Sequence, residues 1–282
     1  MNRHIQPWHG RLSLLAILVS IPLLANAQQV IQVANVDSRP NETPHPLDPA
    51  LEIARASLLN VQTNIDDYKG LFVKRTRVDG VLPPLQYARI KIRNRKLQNR
   101  TVTTPMGVYM DFLKPSDVKG REVIWVEGVN DGNIVVHQGG MARFVTLNLD
   151  PNGYLAMRGQ RYPITDIGIE NLLIKIIEAC ERDRQHDECE VQIFRNAKVG
   201  GMVCTMVQVT HPVKRDHFDF YQARVYFSDD LNVPVRYKSW TWPTSSGGSP
   251  IIQEEYNYMK LELNVGLTDQ DFDPENPVYR YN

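Results

Sequence analysis

The apolar residues of this chain recur with two different periods, and the change of period separates helices from strands. Between positions 47 and 65 they recur in steps of four and three, at Leu47, Leu51, Ala54, Leu58, Val61 and Ile65. This spacing places them on one face of an α-helix. Asp48 can cap that helix, and Pro49 suits its first turn. A second helical face is predicted within 169–183, at Ile169, Leu172, Leu173, Ile176, Ile177 and Cys180.

Elsewhere apolar and polar residues alternate, which is the period of a β-strand. In residues 87–95, Ala88, Ile90 and Ile92 lie on one face of a strand and basic side chains lie on the other. Turn sequences end the strands at 79–80, 130–132, 150–153 and 200–201. About ten short strands at hairpin spacing predict an α+β, mainly antiparallel β fold. We expect a curved sheet or unclosed β barrel with the two principal helices on its concave face, because a long open sheet must hide its edges.

Strand alternation and the helical faces together select the side chains that would meet between sheet and helices. The predicted apolar lining is Val108, Met110, Phe112, Ile124 and Val126 from the strands, and Leu51, Leu58, Leu172 and Ile176 from the helices. The pattern fits an apolar pocket and a filled core equally well, since strand faces are mostly core in either case.

The first 27 residues have the pattern of a signal peptide. Arg3 and Arg11 precede an apolar run from Leu12, which closes on the small-x-small pattern of 25–27. We predict cleavage after Ala27 and a periplasmic or otherwise extracytoplasmic location, with an uncleaved anchor as the alternative. No second run is long enough to cross a bilayer, so we expect no permanent membrane anchor. Residues 28–46 contain three prolines and are predicted to be a flexible leader, followed by a single domain over 47–282.

Charge argues against nucleic acid as the main partner. The chain has 32 basic and 32 acidic residues, whereas phosphate binding requires a strongly basic field. One strand is an exception, because no acidic residue lies between Gly80 and Asp111. Its basic face could contact an anionic partner or head group, or could be a solvated outer face that discourages strand addition. That face consists of Arg89, Lys91, Arg93 and Arg95.

The sequence contains no catalytic motif, so we predict no enzyme activity and no cofactor. Paired carboxylates such as Glu254-Glu255 point to opposite strand faces and are expected to be solvated. Residues 180–189 hold the one metal-like cluster, and it supplies half a zinc site without its mate, so no metal is predicted.

Cys180 and Cys189 are the candidate disulfide pair, because they close a short loop in a chain expected outside the cytoplasm. Aromatic residues of the last strands, among them Tyr237 and Tyr256, are expected to pack across strands, with a pocket lining as the alternative.

Four stretches resemble an uncharacterised bacterial extracytoplasmic family, the 1571 family of domains of unknown function. They are VYMDFLKPSDVKGREVIWVEGVNDG, LDPNGYLAMRGQRYPITDIGIENLL, LNVPVRYKSWTWP and EEYNYMKLELNVGLTDQDFDPENPVY. More distantly, the order of elements is similar to the lipoprotein-carrier (LolA-like) fold, with Phe112, Pro115, Gly120, Arg121 and residues 267–272 at matching places. That resemblance implies an unclosed barrel with helices as a lid, whose members bind acyl chains of lipoproteins or other lipids on the concave face.

These features together predict a non-enzymatic, monomeric extracytoplasmic protein. It would bind or carry a hydrophobic ligand, either a lipid or a lipid-modified protein, by burying acyl chains between sheet and helices. The alternative is a protein-interaction module of the cell envelope, a scaffold or signalling domain with a filled core and no small-molecule ligand. A hydrolase is the third candidate.

Overall fold

The computed structural model of the chain describes Val30–Ile31 and residues 44–281. The predicted signal peptide lies outside the described residues, as does most of the predicted leader. The helices are α1 (Asp48–Asn64), α2 (Tyr154–Met157) and α3 (Ile169–Asp183). The strands are β1 (Val30–Ile31), β2 (Asp67–Thr76), β3 (Gln86–Arg93), β4 (Lys96–Gln98), β5 (Thr101–Thr104), β6 (Gly107–Lys114), β7 (Glu122–Val126), β8 (Ile134–His137), β9 (Thr146–Leu149), β10 (Glu190–Val199), β11 (Met202–Thr210), β12 (Gln222–Ser228), β13 (Pro234–Thr241) and β14 (Ile251–Leu263).

One large antiparallel sheet dominates the fold. Twelve strands pair in the order β1-β10-β11-β12-β13-β14-β2-β3-β6-β7-β8-β9, and the two outermost strands do not pair with each other. β4 and β5 form a separate hairpin. One apolar core contains Ile193 of β10 and Val136 of β8 together with Leu51 of α1 and Leu173 of α3, so the sheet curls around the helices. The predicted mainly antiparallel, unclosed sheet with helices on its concave face is confirmed, with more strands than expected.

The two long helices pack on the same face of the sheet, which we call the inner face. They run antiparallel, since Arg55 and Gln62 of α1 bond Glu181 and Glu170 of α3 at 2.7 and 2.9 Å. α1 begins one residue earlier than the capping pattern predicts, with Leu47 as its N-cap residue. Asp48 is instead the first helical residue, and its carboxylate accepts from the backbone N–H of His45 at 2.8 Å.

A hydrogen bond between β2 and α3 fixes the start of the second helix. The hydroxyl of Tyr68, fully buried on the inner face, accepts from the backbone N–H of Ile169 at 2.8 Å. Such first-turn N–H groups have no partner inside the helix. Gly168, just before the helix, has φ +115°, and a Cβ built there would approach the same hydroxyl to 3.3 Å. The position therefore favours glycine on two grounds.

Residues 265–281, which we call the tail, cover the opposite, outer face of the sheet at β3, β6 and β7. Phe272 and Tyr279 of the tail pack on Tyr109 and Ile124 as a second, smaller apolar cluster, and Val126 borders it. The assignment of Ile124 and Val126 to the predicted lining is therefore wrong. Their neighbours Val123 and Trp125 face the main core instead, because strand faces alternate and the prediction was out by one position on β7.

The tail also neutralises the basic strand face. Lys91 pairs with Asp271 and Arg93 with Asp269, both at 2.7 Å. Arg89 pairs with Asp111 of β6 at 2.8 Å, and Arg95 with Glu127 at 2.6 Å. All four cations predicted to meet an external anion thus have carboxylate partners within the chain. The prediction missed the partners of Lys91 and Arg93 because the two tail carboxylates lie far away in the sequence.

Candidate ligand-binding cavity

A cavity of about 490 Å³ lies between the inner face of the sheet, α3 and residues 149–168. We call residues 149–168 the rim segment; it contains α2. The volume falls within the range of about 300–1,000 Å³ typical of small-molecule sites. The structure therefore has a pocket at the place where the sequence pattern fits a pocket and a filled core equally well.

One side of the cavity is apolar. Its strands contribute Met110, Phe112, Val123, Ile134 and Val136, and α3 contributes Leu172 and Ile176. The two α3 residues are one helical turn apart, so they present one continuous surface. They pack against the border of the main core and are only partly buried, because part of each side chain faces the cavity.

Four of the nine side chains predicted to line a pocket do so, namely Met110, Phe112, Leu172 and Ile176. Val108 and Leu51 are buried in the core around the cavity, with 0% and 2% exposure, and Leu58 packs against that core. The structure thus brings these seven residues to one side of the sheet.

The other side of the cavity is polar and is formed by neighbouring strands. In the register of β14 with β2, Tyr256 lies opposite Lys74 and Glu254 lies opposite Thr76, so all four side chains share the inner face. The Tyr256 hydroxyl donates to Glu254 Oε2 at 2.7 Å, and Ser239 Oγ donates to Glu254 Oε1 at 3.4 Å. Because the Tyr256 hydroxyl is committed to Glu254, the 3.2 Å bond joining it to Thr76 has Thr76 as the donor.

Glu254 is a correction to the sequence analysis, which expected a solvated carboxylate. Its side chain lines the cavity and is 5% exposed. Burial raises the pKa of this carboxyl, opposed by the Tyr256 bond and the nearby positive charge of Arg161. Glu255 points to the outer face. There its carboxylate lies 2.9 Å from the guanidinium of Arg75 and 2.8 Å from that of Arg236. Opposite orientation of the pair was expected; burial of both was not.

Lys74 is one of the cavity residues that the sequence analysis missed. Its Nζ donates to Oε1 of Gln160 in the rim segment at 2.5 Å. Burial lowers the pKa of Lys74 to about 8. A signal was available in the alternation of β2, since Lys74 stands two positions after inward-facing Phe72 and two before inward-facing Thr76.

The residues of the metal-like cluster and of the candidate disulfide form neither a metal site nor a disulfide in the described part of the chain. Cys180 and Cys189 are free, buried thiols, which corrects the predicted pairing. Burial raises the pKa of Cys180 to about 12 and that of Cys189 to about 11. The ring of His186 stacks on that of His217 with centroids 3.7 Å apart. Among the described residues, no group of three or more potential ligands is placed to hold a metal ion.

Similar chains were found among solved structures, and none among curated proteins. Within the described residues, no helix has the length and apolar character needed to cross a membrane. A DUF1329 family protein from Desulfovibrio piger is 13% identical, with 82% of this chain and 98% of that chain covered and a TM-score of 0.39. For lipoprotein LppX from Mycobacterium tuberculosis the values are 14%, 80%, 100% and 0.40. For a LolA superfamily protein from Nitrosomonas europaea they are 10%, 79%, 97% and 0.30.

The resemblance of the four sequence stretches to a family is tested by a family model. The model of a family described as protein of unknown function (DUF1571) matches residues 65–281. That span contains nearly all of the sheet, α3 and the tail that covers the outer face. The chain therefore belongs to the DUF1571 family.

Proposed function

We propose that this protein binds a hydrophobic ligand, a lipid or the acyl chains of a lipid-modified protein, in the cavity between α3 and the sheet. It does so without catalysis and outside the cytoplasm. The signal-peptide pattern of residues 1–27 would direct its export. The observation that carries this proposal is the cavity of about 490 Å³ with a continuous apolar wall. Burying apolar ligand surface there is favourable by about 25 cal/mol per Å².

The rim segment is the proposed entrance. Leu155 of α2 lines the cavity and is also 62% exposed, so the cavity meets solvent at this side chain. α2 has four residues and is flanked by Gly153 and Gly159, and Gly159 has φ +70°. Displacement of this short segment would open the cavity while the sheet and the long helices keep their packing.

An interaction module without a small-molecule ligand is the second candidate. Near the rim segment, the β8–β9 connection exposes Met141 fully and Phe144 by 83%, and α2 exposes Tyr154 by 79%. Large exposed apolar surfaces often mark protein or membrane contacts. This candidate needs no occupant in the cavity.

Native mass spectrometry of the purified protein tests the proposal. We expect co-purifying lipid, released on denaturation, in the wild-type protein. Leu172→Trp would fill the cavity from α3 and displace that lipid. The matched control is Leu59→Trp, since Leu59 lies on α1 and is 65% exposed. A protein that never carries lipid, and that takes up none from solution, would instead support the interaction module.

A further inference from the structure

Lys74 faces the cavity without a carboxylate partner among the described residues. Five basic side chains line the cavity: Lys74, Arg121, Arg161, Lys175 and Arg182. Lys175 pairs with Asp166 at 3.0 Å, and Arg182 with Asp219 at 2.8 Å. Arg161 and Arg121 also lack a carboxylate within ion-pair distance among the described residues, but the charges of Glu254 and Asp117 act on them. Within residues 44–281, no carboxylate lies within ion-pair distance of Lys74, whose side-chain partner is the neutral amide of Gln160.

An acidic side chain on the same face, Glu254, is already engaged. Glu254 accepts hydrogen bonds from Tyr256 and Ser239, and Arg161 supplies positive charge beside it. Taking an ammonium group out of water without a counter-ion is costly. Because its pKa is about 8, Lys74 is nevertheless mostly protonated at neutral pH. The polar side of the cavity thus holds a partly buried positive charge whose surroundings would be completed by an anion.

We propose that Lys74 binds the acidic head group of the ligand, so that the cavity takes a single-chain amphiphile with one carboxylate, of the fatty-acid class. This inference rests on the proposed function as a binder of hydrophobic ligands. The carboxylate accepts from Lys74 Nζ in place of Gln160 Oε1, and the alkyl chain lies along Met110, Phe112, Leu172 and Ile176.

A carboxylate fits this position better than a phosphate. The position offers one ammonium point charge, whereas phosphate groups are commonly held by several donors or by a bidentate arginine. The guanidinium of Arg161, which follows Gln160 in the chain, already lies beside the charge of Glu254. After the exchange, the amide nitrogen of Gln160 can donate to the bound carboxylate, which would tie the rim segment to the ligand.

Binding of two ligands of equal chain length tests the inference. Delipidated protein is titrated with palmitic acid and with hexadecan-1-ol at pH 7, below their micelle concentrations, by displacement of a fluorescent fatty-acid probe. We expect wild-type protein to prefer palmitic acid by about tenfold or more, because a hydrogen bond to a charged group is lost with the alcohol. Lys74→Met should abolish the preference while retaining hexadecan-1-ol binding, which also shows that the variant is folded.

Lys69→Met is the matched control, because Lys69 lies on the same strand but pairs with Glu262 at 3.1 Å. It should keep the wild-type preference. Equal binding of both ligands to wild-type protein, unchanged by Lys74→Met, would overturn the inference and leave the proposed function standing. Failure of both ligands to bind wild-type protein would overturn both. Tighter binding of hexadecyl phosphate than of palmitic acid would overturn the assignment of a carboxylate.

Discussion

At the scale of single residues, the cavity combines groups that ordinary cores keep apart. Lys74 and Glu254 both face it, yet they are not partners: one bonds a neutral amide, and the other is held by hydroxyl groups. Burial lowers the pKa of the lysine and raises the pKa of the carboxyl, and both shifts favour the neutral form of the group. Each group therefore lowers the stability of the empty protein at neutral pH, as polar groups at binding sites often do.

Lys74 should give the free energy of unfolding a distinct pH dependence. Its pKa is about 8 in the folded chain, below the ordinary lysine value of 10.5. Between these two values the unfolded chain binds more protons, so stability rises with pH in that window. Below pH 8 the folded protein carries the whole cost of the buried charge. Relative to wild type, Lys74→Met should be most stabilising at pH 7, and the gain should shrink as pH approaches 10.5.

Urea unfolding of delipidated protein at pH 7, 8, 9 and 10 measures this difference. Lys69→Met again serves as the matched control, since it removes a lysine from the same strand outside the cavity. A constant difference between wild type and Lys74→Met over the whole pH range would contradict the prediction.

The cysteines allow a second prediction at this scale. All three are free and buried, so alkylating reagents should modify none of them rapidly in native protein and all three after unfolding. Mass spectrometry of the alkylated chain, without prior reduction, counts the modified thiols. A pair that resists alkylation in denaturant but reacts after reduction would show the Cys180–Cys189 disulfide that the sequence suggests.

At the scale of elements, the start of α3 is held by side chains from the sheet, Tyr68 at Ile169 and Tyr258 at Gly168. The hydroxyl of Tyr68 meets the N–H of Ile169, while Leu173, one turn further on, is fully buried. Leu172 and Ile176, which face the cavity, lie in the first two turns of the same helix. The cavity wall thus depends on an anchor outside it, and the anchor sets the height of the helix above the sheet.

Removal of this anchor should destabilise the protein without changing its charge. Tyr68→Phe leaves the N–H of Ile169 buried and unsatisfied, which costs about 1–3 kcal/mol. Urea unfolding at pH 7 measures the loss. Tyr154→Phe, which removes a hydroxyl from a side chain that is 79% exposed, is the matched control. Equal midpoints for the two variants would show that the hydrogen bond does not stabilise α3.

At the scale of the whole molecule, the sheet is covered on both faces. The inner face carries α1 and α3, and the outer face of β3, β6 and β7 carries the tail. Phe272 approaches Gly107 so closely that a Cβ there would lie 3.0 Å from its ring. The tail therefore closes a second core and supplies the carboxylates for Lys91 and Arg93.

Loss of the tail's apolar contact should destabilise the whole domain. Phe272 is 4% exposed, so Phe272→Ala removes a buried ring and is expected to cost about 3–5 kcal/mol. Thermal unfolding measures the effect, and Val278→Ala, at a tail residue that is 75% exposed, is the control. Similar unfolding temperatures for both variants would mean that the tail is not part of the cooperative unit.

Local sequence patterns were enough to predict the two long helices, many of the strands and the class of fold. The steps of four and three between 47 and 65, and the alternation in 87–95, are visible locally, because helical and strand periods are properties of consecutive residues. The same local rules selected Met110, Phe112, Leu172 and Ile176 as side chains facing the interior. They also erred on β7, where a shift of one position exchanges Ile124 for Val123.

The tertiary structure alone decided which side chains are partners. Lys91 and Asp271 are 180 positions apart, and Lys74 and Gln160 are 86 apart, so no local pattern joins them. It also decided that the space between sheet and helices is a cavity, because a void depends on how facing surfaces fit and not on the polarity of either one. The basic strand was visible in the sequence, but its neutralisation by the tail, and the unpaired charge of Lys74 inside the cavity, required the fold.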